Sequence, residues 1–371
     1  MSDYIFHVIR PSDFRSIAKQ EALLKGEGIE RDRNLEYSIG LFDDDYNIIA
    51  TGSCFMNTLR CLAVDRAHRG EGLMNELLTH LLEYETELGR TEIFIYTKCE
   101  AAKFFADLGF YEILRVDDKV VFMENKRDGF DLYLKRIKDE TERQFKTLPI
   151  ALKNNLGLPY FELFPEKKKV SAIVMNANPF TNGHKYLVEE ASKKSDLVHL
   201  FVVSEDISFV PFADRMRLIR ENTKHLPNVI YHETGSFMIS TATFPSYFLK
   251  DEQLIIESQA KLDARVFLNI AKTLGIGRRF VGTEPFSTVT AIYNRVLKEE
   301  LAGSPVDLIE LERLQHDSVA ISASNVRKLI SEDRIEEIRP LLPEATYEYF
   351  MSPAAAKVIN KIKSSSDVIH Y

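Results

Sequence analysis

The chain has 371 residues, 45% of them hydrophobic and 28% charged, a globular composition long enough for about two to three cores, which excludes a disordered or single small-domain protein. A net charge of −8 argues against a general binder of nucleic acid or anionic membrane. Cys54, Cys61 and Cys99 lack C-x-x-C spacing, no signal-like N-terminus is present, and no run of about 18 apolar residues occurs; the expectation is a cytoplasmic protein without disulfides and without a metal held by its own side chains.

In chain order, residues 4–9 read as a strand, Pro11-Ser-Asp-Phe14 opens an amphipathic helix, and residues 35–41 and 46–52 make a hairpin around Asp43-Asp44-Asp45. Thr58–Val64 is a further strand. It ends in Asp65-Arg-Ala-His-Arg-Gly-Glu-Gly72, and a helix comes next with Leu73, Leu77, Leu78, Leu81 and Leu82 on one face. A strand, a glycine turn and a helix in that order leave free N–H groups at the turn, an arrangement that cradles phosphate. Residues 92–97 are strand-like and lead into Ala101-Ala-Lys-Phe-Phe105-Ala-Asp-Leu-Gly109-Phe110.

Arg69-Gly70-Glu-Gly72-Leu-Met74 and the stretch ending at Phe110 resemble the Arg/Gln-x-x-Gly-x-Gly/Ala and Ala-x-x-Phe-Tyr-x-x-x-Gly-Phe signatures of GCN5-related acetyltransferases. The resemblance implies an α/β domain over residues 1–125 in which Arg69, Gly70 and Gly72 contact a CoA-like arm. Met74 stands where that family has a small residue and Phe105 where it usually has a tyrosine. A phenyl ring donates no proton, so the expectation is arm binding without acetyl transfer, with Tyr111 as a substitute hydroxyl.

Residues 126–169 read as a helical connector: residues 131–138 look helical, and Pro149, Pro159 and Pro165 interrupt the remainder of the segment. Val170–Met175 is then an apolar, β-branched strand that breaks at Asn178-Pro179 and delivers Thr181-Asn-Gly183-His184 to the start of a helix carrying Tyr186, Leu187 and Ala191. The first-turn N–H groups of that helix face the carboxyl end of the strand and would welcome an anion, with His184 beside it as a donor; a histidine capping its own helix is the plainer alternative. Gly183 lets backbone approach a ligand closely, and Asn178 and Phe180 flank it as candidate contacts. Residues 197–203 form a second buried strand, followed by a helix over 212–222 in which Arg215 lies near the ligand edge. A long helix spans 251–274, with Gln253, Glu257 and Asp263 as candidate polar groups, and Arg278–Gly282 is a strand ending at Gly282, another candidate nucleotide contact. Residues 305–311 are a further strand. Ile321-Ser322-Ala-Ser324-Asn-Val-Arg327 opens the last important helix, with Ser322 as N-cap, and a helical tail begins at Pro353. The alternation predicts a parallel doubly wound sheet over residues 170–371 that captures ligand beyond the carboxyl ends of its strands.

Thr181-x-Gly-His184 paired with Ile321-Ser-x-Ser-x-x-Arg327 resembles the two signatures of the nucleotidylyltransferase superfamily, (His/Thr)-x-Gly-His and Ile-Ser-Ser-Thr-x-x-Arg. That resemblance implies a Rossmann-like ATP-binding domain in which Thr181 and His184 contact phosphates and Ser322, Ser324 and Arg327 hold the β and γ groups. No carboxylate cluster is readable, so Mg²⁺ is expected on phosphate oxygens and water. With the acetyltransferase-like domain in front, and with the stretches 241–250 and 281–294, nearly the whole chain resembles the citrate lyase ligase family. The family implies activation of acetate by ATP and acetylation of the CoA-derived prosthetic thiol on the citrate lyase acyl carrier subunit. Rival readings are an adenylyltransferase for a pantetheine phosphate or nicotinamide mononucleotide, a bifunctional acetyltransferase, and a non-enzymatic acyl-carrier or CoA-binding module.

Overall fold

The computed structural model describes residues 4–156 and 169–365, apart from 206, 239–243, 246, 248, 250, 284–287 and 318. Pro159, Pro165, residues 284–287 and part of the stretch 241–250 therefore lie outside the described residues. Two compact units result: Met1–Leu132 with Thr243–Leu262, and Tyr133–Ala242 with Asp263–Tyr371.

In the first unit the elements run β1 (Ile5–Val8), α1 (Phe14–Gly26), β2 (Tyr37–Phe42), β3 (Ile48–Phe55), β4 (Thr58–Val64), α2 (Leu73–Glu87), β5 (Phe94–Thr97), α3 (Ala102–Asp107), β6 (Tyr111–Val116) and β7 (Val120–Glu124). The seven strands form one sheet in the order β1-β2-β3-β4-β5-β7-β6. The leucine stripe of α2 packs on it: Leu73, Leu77, Leu78 and Leu81 are buried against Leu41, Leu62, Ile95 and Met123. The pair β6–β7 had no counterpart in the sequence reading.

One join in this sheet opens a notch. β4 and β5 run parallel and pair at Thr58↔Phe94 and Leu59↔Ile95, after which the two strands part. The register of β4 on β3 shifts between Thr51 and Ser53, and Cys61, opposite that shift, has φ 53°. A bulge of this kind bends a strand out of its ladder, here away from β5. The notch that opens is lined by Leu62, Ala63 and Val64 on one side and Ile95, Tyr96 and Thr97 on the other.

In the second unit, α4 (Gly129–Thr147) contributes its length from Tyr133 onward, and α5 (Ile150–Leu156) is next. Then come β8 (Val170–Met175), α6 (Asn182–Lys193), β9 (Leu197–Val202), α7 (Phe212–Thr223), β10 (Val229–Glu233), α8 (Glu252–Leu274, of which residues 263–274 belong here), β11 (Arg278–Gly282), α9 (Thr288–Leu301) and β12 (Asp307–Leu311). The strands form a wholly parallel sheet in the order β10-β9-β8-β11-β12, so the chain winds outward on one side of β8 and then on the other. That reversal makes the carboxyl ends of β8 and β11 a topological switch point, the place where sheets of this kind take their ligands.

The stretch read as a connector covers an edge of this sheet. Tyr133, Ile137, Thr141 and Phe145 are buried at helical spacing along α4. Gln144 accepts from the Tyr231 N–H at 3.0 Å and donates to the Tyr231 carbonyl at 2.7 Å, so one amide side chain satisfies the open edge of β10 as a further strand would. After the short pair β13 (Gln315–His316) and β14 (Val319–Ala320) come α10 (Ala323–Ser331), α11 (Glu344–Met351) and α12 (Ala356–Ser364). The tail docks: Val358 and Ile362 are buried with Val326 and Ile330 of α10 and Leu218 of α7.

Candidate functional site

The β8–α6 turn is locked by reciprocal hydrogen bonds. Thr181 is the N-cap of α6, and its hydroxyl accepts from the His184 N–H at 3.4 Å while Nδ1 of His184 accepts from the Thr181 N–H at 3.1 Å. This is a capping box with histidine in the place usually taken by Glu or Gln. An Nδ1 that accepts a backbone N–H carries no proton, so the neutral ring holds its hydrogen on Nε2. Burial, followed by the positive charges of Arg313 and Arg327, lowers the His184 pKa to about 4, and the ring stays neutral at physiological pH. It stacks on Phe180, with centroids 5.8 Å apart and planes 19° apart. Phe180 is fully buried, so it has no surface to offer a ligand and its ring backs the imidazole.

The two sequence signatures meet at Gly183. A Cβ there would stand 2.9 Å from the Ile321 carbonyl oxygen, so glycine admits the chain segment that starts α10. The expected close approach is thus to protein backbone. Ser322 caps α10 by accepting from the Asn325 N–H at 3.2 Å and lies 3.0 Å from the Ser324 hydroxyl. Arg327, one turn on, is buried and donates to the Asn178 carbonyl at 2.5 Å. Asn178 in turn accepts from the Val210 N–H at 3.0 Å through Oδ1, and its Nδ2 is buried with no partner among the described residues. Asn178, Thr181, Gly183, His184, Ser322, Ser324 and Arg327 therefore form one connected group at the switch point.

Arg215 lies behind this group, turned to backbone. Its guanidinium is fully buried and donates to the carbonyls of Val210, Asn176, Val203 and Glu205 at 3.0, 2.9, 2.6 and 2.5 Å. It staples the loops after β8 and β9 and faces protein on all these sides. Gly282 ends β11, and Arg313, just beyond β12, passes within 3.7 Å of where its Cβ would be and donates to the Thr283 carbonyl at 2.7 Å. Arg313 is a site cation that the sequence reading missed. It stands outside both signatures, and its one signal is its position two residues past an apolar strand.

In the first unit, the β4–β5 notch opens into a crevice of about 650 Å³. Its walls are apolar, with Leu62, Val64, Leu73, Met74, Phe105 and Leu108 among them, and Arg69, Gly70 and Gly72 stand at one end. Gly70 and Gly72 have φ of 92° and 83°, the left-handed region, and a Cβ on either would meet nothing within 4 Å. Gly72 is the N-cap of α2 and makes no side-chain cap, so the first-turn N–H groups face the turn uncovered by a capping side chain. Arg69 lies on the Glu27 carboxylate. Tyr111 is on β6 and does not line the crevice; the tyrosines that do are Tyr96 and Tyr247, and the Tyr247 hydroxyl donates to the Tyr96 carbonyl at 2.9 Å.

Two families match in these places: the acetyltransferase (GNAT) family over residues 6–110, and the citrate lyase ligase C-terminal domain over residues 170–350. Citrate (pro-3S)-lyase ligase of Escherichia coli K12 is 34% identical over 354 residues, 94% of each chain. The chain belongs to the citrate lyase ligase family. Relatives of the same name from Klebsiella pneumoniae, 35% identical over 84% of this chain and 85% of that one, and Haemophilus influenzae, 34% over 89% and 93%, agree. Among solved structures, an acetyltransferase of the GNAT family from Staphylococcus aureus is 17% identical, covers 33% of this chain and 99% of that chain, and has a TM-score of 0.28. The protein is thus a ligase of this family, built from a GNAT-like unit and a Rossmann-like unit. No helix among the described residues is long and apolar enough to cross a membrane.

Proposed function

We propose that the protein uses ATP to activate acetate and acetylates the CoA-derived thiol on the acyl carrier subunit of citrate lyase. The names of its relatives support citrate lyase as the target. The observation that carries the ATP assignment is the Thr181–His184 box, which sets a neutral Nε2–H donor beside the charges of Arg313 and Arg327, at the switch point of a parallel sheet.

In the first step an acetate oxygen attacks the α-phosphorus of ATP, forming acetyl-AMP as the bond to pyrophosphate breaks. His184 donates to a phosphate oxygen through Nε2, and the neighbouring guanidiniums neutralise charge that builds on the leaving group. Ser322 and Ser324 offer hydroxyls to the terminal phosphates from the start of α10. Mg²⁺ fits this scheme as an ion held chiefly by phosphate oxygens and water. In the second step the thiolate sulfur attacks the acetyl carbonyl and AMP leaves. The first unit's crevice grips the arm: its apolar walls suit a pantetheine chain, and Arg69 with the α2 start suits a phosphate.

The test is to mix full-length protein, ATP, Mg²⁺, acetate and thiol-form acyl carrier and weigh the carrier. A gain of one acetyl group that requires both ATP and acetate is expected. Pyrophosphate release with a pantetheine phosphate, and none with acetate, would replace this reading by an adenylyltransferase.

A further inference from the structure

We infer that Glu27 sets the charge the first unit's crevice accepts, favouring a thiol arm with few phosphate charges over free coenzyme A. The inference rests on the reading of that crevice as the arm site.

Glu27 is the C-cap of α1, and Gly28, with φ 69°, turns the chain immediately after it. The carboxylate faces inward: its side chain is 12% exposed, whereas those of its partners Arg66 and Arg69 are 72% and 59% exposed. One oxygen stands 3.3 Å from Arg66 Nε and the other on Arg69 Nη2, so a single half-buried carboxylate holds both guanidiniums. The Lys98 ammonium is also engaged, donating to the Gly28 carbonyl at 3.2 Å. Among the charged groups lining the crevice, the cations Arg69 and Lys98 are matched by the carboxylates Glu27 and Glu100.

A crevice built for a highly charged phosphate ligand would carry an excess of cations. Here a phosphate reaching the α2 start must share Arg69 with Glu27 and then stands next to that carboxylate. The repulsion grows with each further charge on the ligand, whereas the apolar walls are indifferent to it. Specificity of this kind comes from a built-in repulsive group as much as from attraction. Free coenzyme A, with its pyrophosphate and terminal phosphate, suffers most.

Isothermal titration of the full-length protein with coenzyme A, dephospho-coenzyme A and pantetheine tests this. Glu27→Gln should tighten coenzyme A roughly tenfold and dephospho-coenzyme A less, and should leave pantetheine within about twofold, with a steeper loss of coenzyme A affinity on adding salt. Equal changes for all three ligands, or none, would overturn the role of Glu27. If Arg69→Ala weakens coenzyme A while Glu27→Gln does nothing, the arm site stands and the charge selection falls. Binding of none of the three to wild type or to Glu27→Gln would remove the arm site itself.

Discussion

Two strand–turn–helix units in this protein solve the same problem in opposite ways. At the start of α6, Thr181 and His184 satisfy the first turn with their own side chains, and the ring that does so is left as a neutral donor of fixed tautomer. At the start of α2, Gly72 caps with no side chain at all and leaves the first-turn backbone N–H groups without a capping partner. The first arrangement suits chemistry, because a preorganised donor stabilises developing charge without reorganising. The second suits holding, because backbone N–H groups donate to any phosphate of suitable reach.

The largest effect that would break this comparison is on His184. His184→Ala should reduce acetate-dependent pyrophosphate release by about 10²- to 10³-fold, the scale of losing one preorganised donor, with the circular dichroism spectrum kept. Near-normal turnover would make the box a plain helix cap. Gly183→Ala comes next: its methyl meets the Ile321 carbonyl at 2.9 Å, so the start of α10 must shift. The expected cost is about 1–3 kcal/mol in stability by denaturant titration, together with a raised KM for ATP. Arg69→Ala sharpens the other side. It should raise the KM for the carrier about tenfold and far more than that for ATP, consistent with one charge-assisted phosphate contact. Equal effects on the two would argue against a division of labour.

The smallest effect is on pH, and there the two units should diverge. Burial lowers the pKa values of His184, His199 and His232 in the second unit below 6.5, so the unfolded chain binds more protons just under that value. That stability is present above pH 6.5 and is lost as pH falls toward the folded pKa values. In the first unit, burial raises the Glu124 pKa from 4.5 to about 7, and one of its carboxylate oxygens has no partner among the described residues. The folded state then binds the extra proton, and this contribution is lost as pH rises through 7. Hydrogen exchange followed by mass spectrometry, corrected for intrinsic rates, should show protection rising with pH in the second unit and falling in the first. Glu124→Gln should flatten the slope in the first unit alone; an unchanged slope there would exclude Glu124 as its source.

Much of this was written locally. The apolar run Val170–Met175, the break at Asn178-Pro179, the N-caps Thr181 and Ser322 and the leucine stripe of α2 depend on spacing within a few residues, and the sequence by itself determined them. It also determined the family, since both paired signatures are contiguous. The tertiary structure alone decided what those pieces touch. Arg215 has the chemistry of a phosphate ligand, and four loop carbonyls claim it because the turns after β8 and β9 converge on its helix. Gly183 has the freedom to approach a ligand, and the start of α10 occupies that space. Gln144 completes the edge of β10 from 87 residues away, and Tyr247 lines a crevice whose other walls come from the first third of the chain. Such contacts join segments far apart in sequence, and no local pattern encodes which distant surface a side chain will meet.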